Sequence, residues 1–362
     1  MIRKIKTICA CTALVLASQV QAQQHEPKQL PVKVVVVTAF EIGDDAGDTP
    51  GEFQNWVEKL PLSEVLPFPQ GYHQLRYNPE KGVLGIVSGE GPSRMASSIT
   101  ALANDKRFDL KHAYWLLAGI AGVDPNVASL ASAAWARYVV DGDLAYEIDS
   151  REIPKGWSTG YVPLGRHKPY QLPAPPATSD TGTNEIALNV GLADWAFRLS
   201  SARVKLTDDN NLKSLRAKYN GFPSAQQPPS ILQGDVLAAG TFWLGALFNT
   251  WAETWVSYWS NHRATFTMSA EEDAAYFQAL TFLSHAQLVD INRVMILRSG
   301  SDFTAPPAEE NAADLLAATA DPNAPSALLE STTSAFIVGS VVVNELVGNW
   351  NIYRDHVPGK ER

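Results

Sequence analysis

The stretch Val32-Lys33-Val34-Val35-Val36-Val37-Thr38 constrains this chain more than any other. An unbroken row of β-branched side chains suits a strand covered on both faces, because a half-exposed strand alternates apolar with polar residues. Runs of the same character recur at Gly82 to Ser88, Ala113 to Ala118, Ala133 to Val140 and Arg293 to Arg298. Between them lie helical patterns. Ser93 to Asn104 follows Pro92 and puts Met95, Ile99 and Leu102 on one face. Asn184 offers an N-cap for a helix through Glu185 and Ile186 to about Leu199, and further helices are expected over Ser269 to Ser284 and Thr333 to Tyr353. Strands alternating with helices predict an α/β fold, an open sheet with helices on both faces, which places ligands beyond the carboxyl ends of its strands.

The N-terminus reads differently. Arg3, Lys4 and Lys6 precede the apolar run Ile8 to Ala17 and the small residues Val20 and Ala22, the pattern of a secretory signal peptide over residues 1–22. Cleavage near Ala22 would leave a periplasmic or secreted protein. A polar leader, 23–31, then a single domain over 32–357 and a short tail, 358–362, are expected. Both cysteines, Cys9 and Cys11, fall in the signal, so the rest of the chain has no thiol for a disulfide, a metal or a nucleophile. After the leader, the longest apolar stretch, Ala335 to Val343, runs into Asn344 and Glu345 and is too short for a membrane span. Acidic residues outnumber basic ones 38 to 29, which disfavours nucleic acid as a partner. No histidine pair has metal-ligand spacing, so no metal is expected. Ile153 to Thr183, with six prolines and four glycines, reads as a surface excursion, and Gly221 to Ser230 as a second connector.

Chemistry could sit at four places. The turn Val87-Ser88-Gly89-Glu90-Gly91-Pro92-Ser93 joins a strand to a helix, and its free N–H groups suit an anion or a ribose oxygen, or simply a tight turn. Ala118-Gly119-Ile120-Ala121-Gly122-Val123-Asp124-Pro125 reads as a second small-residue turn. In Arg298-Ser299-Gly300-Ser301-Asp302-Phe303 an apolar strand ends beside one carboxyl, either a proton donor kept protonated by apolar surroundings or a turn cap. Glu271-Glu272-Asp273 opens a helix, where acids also complement the helix dipole. Trp251, Trp255 and Trp259 share a helical face as a packing stripe or a subunit interface. Trp243 stands outside that face as a candidate platform for a flat ligand.

Taken in order, Val34 to Glu41, Val87 to Ala96, Leu117 to Pro125, Gln233-Gly234-Asp235, Glu271 to Ala275 and Ser301-Asp302 resemble the purine nucleoside permease family. That family in turn looks like a remote branch of the nucleoside phosphorylase and nucleosidase superfamily. The resemblance implies a three-layer αβα sandwich with a mixed, mainly parallel central sheet. It implies that Asp302 protonates the purine, that Glu272 or Asp273 holds the ribose hydroxyls, and that Glu41, with Asp44 as a shifted alternative, activates water. Gly89, Gly91, Ser93 and Arg94 would bind the nucleophile, and Ala118, Gly119, Ala121 and Trp243 the base and sugar. Arg94 is the one evident cation at the glycine turn and Glu90 would repel phosphate, which tilts the expectation toward hydrolysis over phosphorolysis. No cofactor is expected, phosphate being admitted only as a co-substrate. The expected partners are a purine nucleoside and a second copy of the chain. The alternative is a binding protein without turnover that assists nucleoside transport.

Overall fold

The structure is a computed structural model and describes residues 29–175 and 184–359. The expected signal peptide and both cysteines lie outside the described residues. In chain order the first half comprises β1 (Leu30–Pro31), β2 (Val34–Thr38), α1 (Gln54–Lys59), β3 (Glu64–Leu66), β4 (Leu75–Asn78), β5 (Val83–Val87), α2 (Pro92–Ala103), β6 (Phe108–Asp109) and the long β7 (Tyr114–Val123). There follow β8 (Ala133–Trp135), β9 (Tyr138–Asp141), β10 (Ala145–Glu147), β11 (Tyr161–Pro163), β12 (Glu185–Ala187), α3 (Val190–Arg203), α4 (Asn210–Arg216), β13 (Ile231–Gln233), β14 (Asp235–Ala238) and α5 (Ala246–Trp259). The last part holds β15 (Phe266–Ala270), α6 (Asp273–His285), β16 (Val294–Phe303), α7 (Ala312–Ala320), α8 (Leu328–Gly348) and α9 (Trp350–Tyr353).

Twelve strands form one mixed sheet, ordered β12-β9-β14-β15-β7-β2-β5-β4-β3, with β16 and β8 branching from β7 and β13 pairing with β8. Its centre, β5-β2-β7-β16, is parallel, and the antiparallel pairings lie mainly toward the edges. The valine run behaves as its composition demands. Val35 and Val37 enter the core on the face covered by Met95 and Ile99 of α2 and Tyr276 and Leu280 of α6. Val34 and Val36 enter the opposite core with Trp56 of α1, Leu192 of α3 and Val338 of α8. Burial on both faces is the three-layer sandwich expected from the sequence.

Helix α8 is long and apolar enough, by length and composition, to cross a membrane. Here its face from Ser331 to Leu346 is buried against the sheet, and Gly339 lets Trp56 and Leu116 approach closely. It is a core helix.

Several boundaries differ from expectation. The Ala133 to Val140 run is two strands, because the Arg137 and Tyr138 amides turn to the Asp235 carboxylate. Asn184 is not an N-cap: Glu185–Ala187 pairs with the edge of β9, and helix α3 starts later, capped by Asn189. Ser269 belongs to β15, and α6 begins four residues on. The helix expected over Thr333 to Tyr353 is α8 and α9, broken at Asn349. The supposed second glycine turn is strand, since β7 continues to Val123.

Candidate functional site

On one edge β7 is paired with β2 up to Leu117 and with β15 at Gly122 and Val123, leaving a gap between them. The gap is closed by side chains. The Glu52 carboxylate accepts the Ile120 amide at 2.7 Å and the Ala39 amide, just past β2, at 2.6 Å. Arg298, on the neighbouring strand β16, donates to the Ile120 carbonyl at 3.0 Å. Gly119 is glycine for a spatial reason: a Cβ there would overlap the Glu52 carboxylate and lie 2.7 Å from the Arg298 guanidinium. The small-residue pattern of β7 therefore marks side-chain convergence, not a turn.

β15 runs antiparallel to β7, Met268 opposite Val123 and Ser269 opposite Gly122, so its carboxyl end leads back toward this gap. It delivers two acids to Arg298. Asp273 takes a two-pronged ion pair at 2.6 and 3.2 Å, and Glu272 one bond at 2.8 Å. The second Glu272 oxygen accepts the Gly91 amide at 3.0 Å. Glu52, Glu272, Asp273 and Arg298 are all buried. Three carboxyls around one guanidinium cannot all ionise without cost. Burial pushes the Glu52 carboxyl up to about 7 despite the attraction of Arg298, and burial also raises Asp273. Burial opposes the Arg298 charge, but Asp273 and Glu272 more than offset it and hold the guanidinium protonated. Glu271, half-buried at the same helix start, is pushed to about 7 by burial and by Glu272 and Glu90.

Asp302 lies near the end of β16, at an irregularity where Gly122 of β7 faces it. The Ser301 hydroxyl donates to its carboxylate at 2.7 Å. A Cβ on Gly122 would sit 3.3 Å from the other Asp302 oxygen and 3.0 Å from the Thr304 methyl, so a bare backbone forms the floor beneath this acid. Its side chain is only partly accessible, and loss of hydration raises its pKa.

Other expected residues are placed elsewhere. Glu41 caps α1, its carboxylate accepting the amides of Gly51, Phe53 and Gln54. Glu41 was expected to activate water; in the structure both of its carboxylate oxygens are engaged by these amides, while Glu52 is the glutamate that reaches the gap in the sheet. Glu52, which sequence reading does not single out, stands just before the helix that Glu41 caps, and no local pattern distinguishes it. Asp44 is exposed on the following loop, lining an open groove of about 830 Å³ with Asp45, Tyr72 and His73. Gly89 and Gly91 hold positive φ of 86° and 84°, a conformation that favours glycine. Ser93 and Arg94 are exposed, Arg94 lying 5.8 Å over the Tyr72 ring. Ala118 packs into the α8-side core, while the Ala121 carbonyl lies 3.3 Å from the Ser301 hydroxyl. Trp251, Trp255 and Trp259 are buried with Leu237 and Val140, the packing stripe and not a free interface. Trp243 joins that cluster and, with Phe242, Tyr161 and Trp251, lines a cavity of about 250 Å³.

A mixed sheet between helical layers, with carboxyls gathered where its parallel strands end, defines a nucleoside phosphorylase-like α/β protein. A 5′-methylthioadenosine/S-adenosylhomocysteine nucleosidase from S. pneumoniae has this fold, with a TM-score of 0.50 and 14% identity over 87% of this chain and 100% of that one. The chain belongs to the purine nucleoside permease family, whose model matches residues 31–358. A probable purine nucleoside permease of Schizosaccharomyces pombe is 32% identical over 278 residues, 75% of this chain and 77% of that protein. The purine nucleoside permease of Candida albicans is 31% identical over 326 residues, 89% of this chain and 77% of its own.

Proposed function

We propose that this chain binds a purine nucleoside and hydrolyses its N-glycosidic bond, and that the signal sequence expected at its N-terminus exports it to do so in support of nucleoside uptake. The observation that carries the reading is the gathering of Glu52, Glu272 and Asp273 around Arg298, four residues before Asp302 on β16, where Arg298 faces Gly119 of β7 and Asp302 faces Gly122. Breaking the bond leaves positive charge on the sugar and negative charge on the base, so catalysis needs an acid at the base and carboxylates at the sugar. Asp302 donates its proton to the purine as the bond between base and sugar carbon breaks. Water attacks that carbon and gives its proton to Glu52, whose pKa of about 7 leaves it half ionised at neutrality. Products are the free base and the free sugar, and solvent resets both carboxyls.

Glu272 suits the ribose hydroxyls better than Asp273, since Asp273 is fully buried and doubly tied to Arg298. Asp273 then holds the guanidinium in place. The aromatic cavity at Trp243 suits the flat purine. Water is favoured over phosphate because the Gly91 amide, which would greet an anion, is already taken by the Glu272 carboxylate.

A second reading rests on the names of the relatives, which are permeases: the same pocket captures a nucleoside and passes it on uncleaved. Incubating the purified protein with inosine, with and without phosphate, separates these. Free base without phosphate is the expected result. Release that requires phosphate would replace hydrolysis by phosphorolysis, and tight binding with no release would establish the second reading.

A further inference from the structure

Behind the Asp302 turn lies a second pair of acids that the reaction above does not use. Asp124 immediately follows β7, fully buried, and Glu253 is half-buried on α5. Both hold the same two amides. Asn249 donates from one nitrogen to Asp124 at 3.2 Å and to Glu253 at 3.1 Å. Asn126 gives its backbone amide to Asp124 and its side-chain amide to Glu253, each at 2.9 Å. The second Asp124 oxygen is buried with no partner. Among the described residues the charge acting on Asp124 is that of Glu253; the Thr267 carbonyl of β15 accepts the Asp124 amide, and Thr304, just past β16, reaches Asn249. Two carboxyls brought together without a cation retain a proton between them, because the doubly charged state has no compensation.

The pair is linked to the site. Asn249 accepts a short hydrogen bond from the Thr304 hydroxyl, and the Thr304 amide donates to Val123 at 3.0 Å. The Thr304 methyl and the Asp302 carboxylate both border the space that a Cβ on Gly122 would fill. We propose that Asp124 and Glu253 share one proton and, through Asn249 and Thr304, position the strand end that carries Asp302, so that losing this proton loosens the hold on ligand. The inference rests on the nucleoside-binding reading for its ligand, not for the proton. Burial and Glu253 together push Asp124 to about 7, which puts the change near neutrality.

The test uses Asp124→Asn and Glu253→Gln, each of which keeps a donor where the shared proton sat but cannot ionise there. Infrared difference spectra between pH 6 and 8 should show a protonated carboxyl in the wild type that titrates in this range and is missing from both variants. Inosine affinity should weaken by about five-fold or more over the same range in the wild type and by less than half of that, on a logarithmic scale, in either variant. Asn249→Ala, which cuts the relay, should bind weakly at every pH. A protonated carboxyl band unchanged in both variants, or identical affinity profiles for wild type and variants, would overturn the proposal. Should no form bind inosine at any pH, the nucleoside reading fails while the infrared result still decides whether the proton is shared.

Discussion

In the proposed site Glu52 takes the part that order along the chain suggests for Glu41. Glu41 follows the first core strand directly, yet spends its carboxylate on the amides that open α1, and the helix it fixes delivers Glu52 into the gap of the sheet. Glu52→Gln should therefore lower turnover by about 100-fold or more and remove the limb of the pH–rate profile that rises through about 7 as Glu52 ionises. Glu41→Gln should keep that limb, and a profile that loses it would return the role to Glu41. Asp302 must carry its proton to act, and its raised pKa keeps the proton to higher pH than an ordinary aspartate. Asp302→Asn should cut turnover by about 10²- to 10⁴-fold while nucleoside affinity changes only a few-fold; calorimetric binding beside a base-release assay reads both, and unaltered turnover would exclude it as the acid. Arg298→Met has a different effect. It strands Asp273 and Glu272 in the interior, where breaking one side of a buried ion pair costs about 3–5 kcal/mol, a loss that denaturant unfolding would register.

The elements were legible in the sequence where burial alone decides them. β-Branched runs at Val34 to Val37 and Val83 to Val87 became the parallel centre, and the apolar face of α2 fell within a residue of its expected place. Long-range pairing erased local signals elsewhere. Glu185-Ile186-Ala187 has a helical pattern but completes the edge of β9, and Ser269, a good N-cap by type, is spent inside β15 because β7 needs a partner beyond the end of β2. The acids at Glu271 to Asp273 and the acid at Asp302, which the proposed site uses, stand out in the sequence by position relative to strands and glycines. Glu52 does not, since its proposed part depends on an amide of β7 that β2 and β15 both leave unpaired. The glycines of β7 carried the signal, in a form easily mistaken for a turn. If their role is to admit side chains, Gly119→Ala should displace Glu52 or Arg298 and Gly122→Ala should displace Asp302. Both should impair turnover more than a matched Gly→Ala at Gly348, where an added methyl meets nothing.

At the scale of the whole molecule these buried acids set a direction for stability. A carboxyl whose folded pKa lies above its unfolded value stabilises the native state below about pH 4, where both states are protonated, and that contribution is lost as pH rises through the folded pKa. Glu52 and Asp124 are both pushed to about 7, chiefly by burial. Glu271 shares the direction with less effect, being partly solvated. Asp105, Asp208 and Asp290 go the other way, lowered by hydrogen bonds to Arg107, Arg216 and Asn292, and their support is lost only as pH falls below the ordinary carboxylate range. The two sets act in different windows, so they do not cancel between pH 5 and 7. Thermal unfolding at constant ionic strength should show a melting temperature that falls from about pH 5 to about pH 7 and flattens above it, as each extra proton held by the native state contributes about 1.4 kcal/mol per pH unit. Glu52→Gln and Asp124→Asn should each make that decline shallower, and the double variant shallower still, because the two acids belong to separate hydrogen-bond networks. A melting temperature that climbs from pH 5 to 7 would mean that these carboxyls are ionised in the folded protein, and with Glu52 would go the half-ionised base on which the proposed hydrolysis depends.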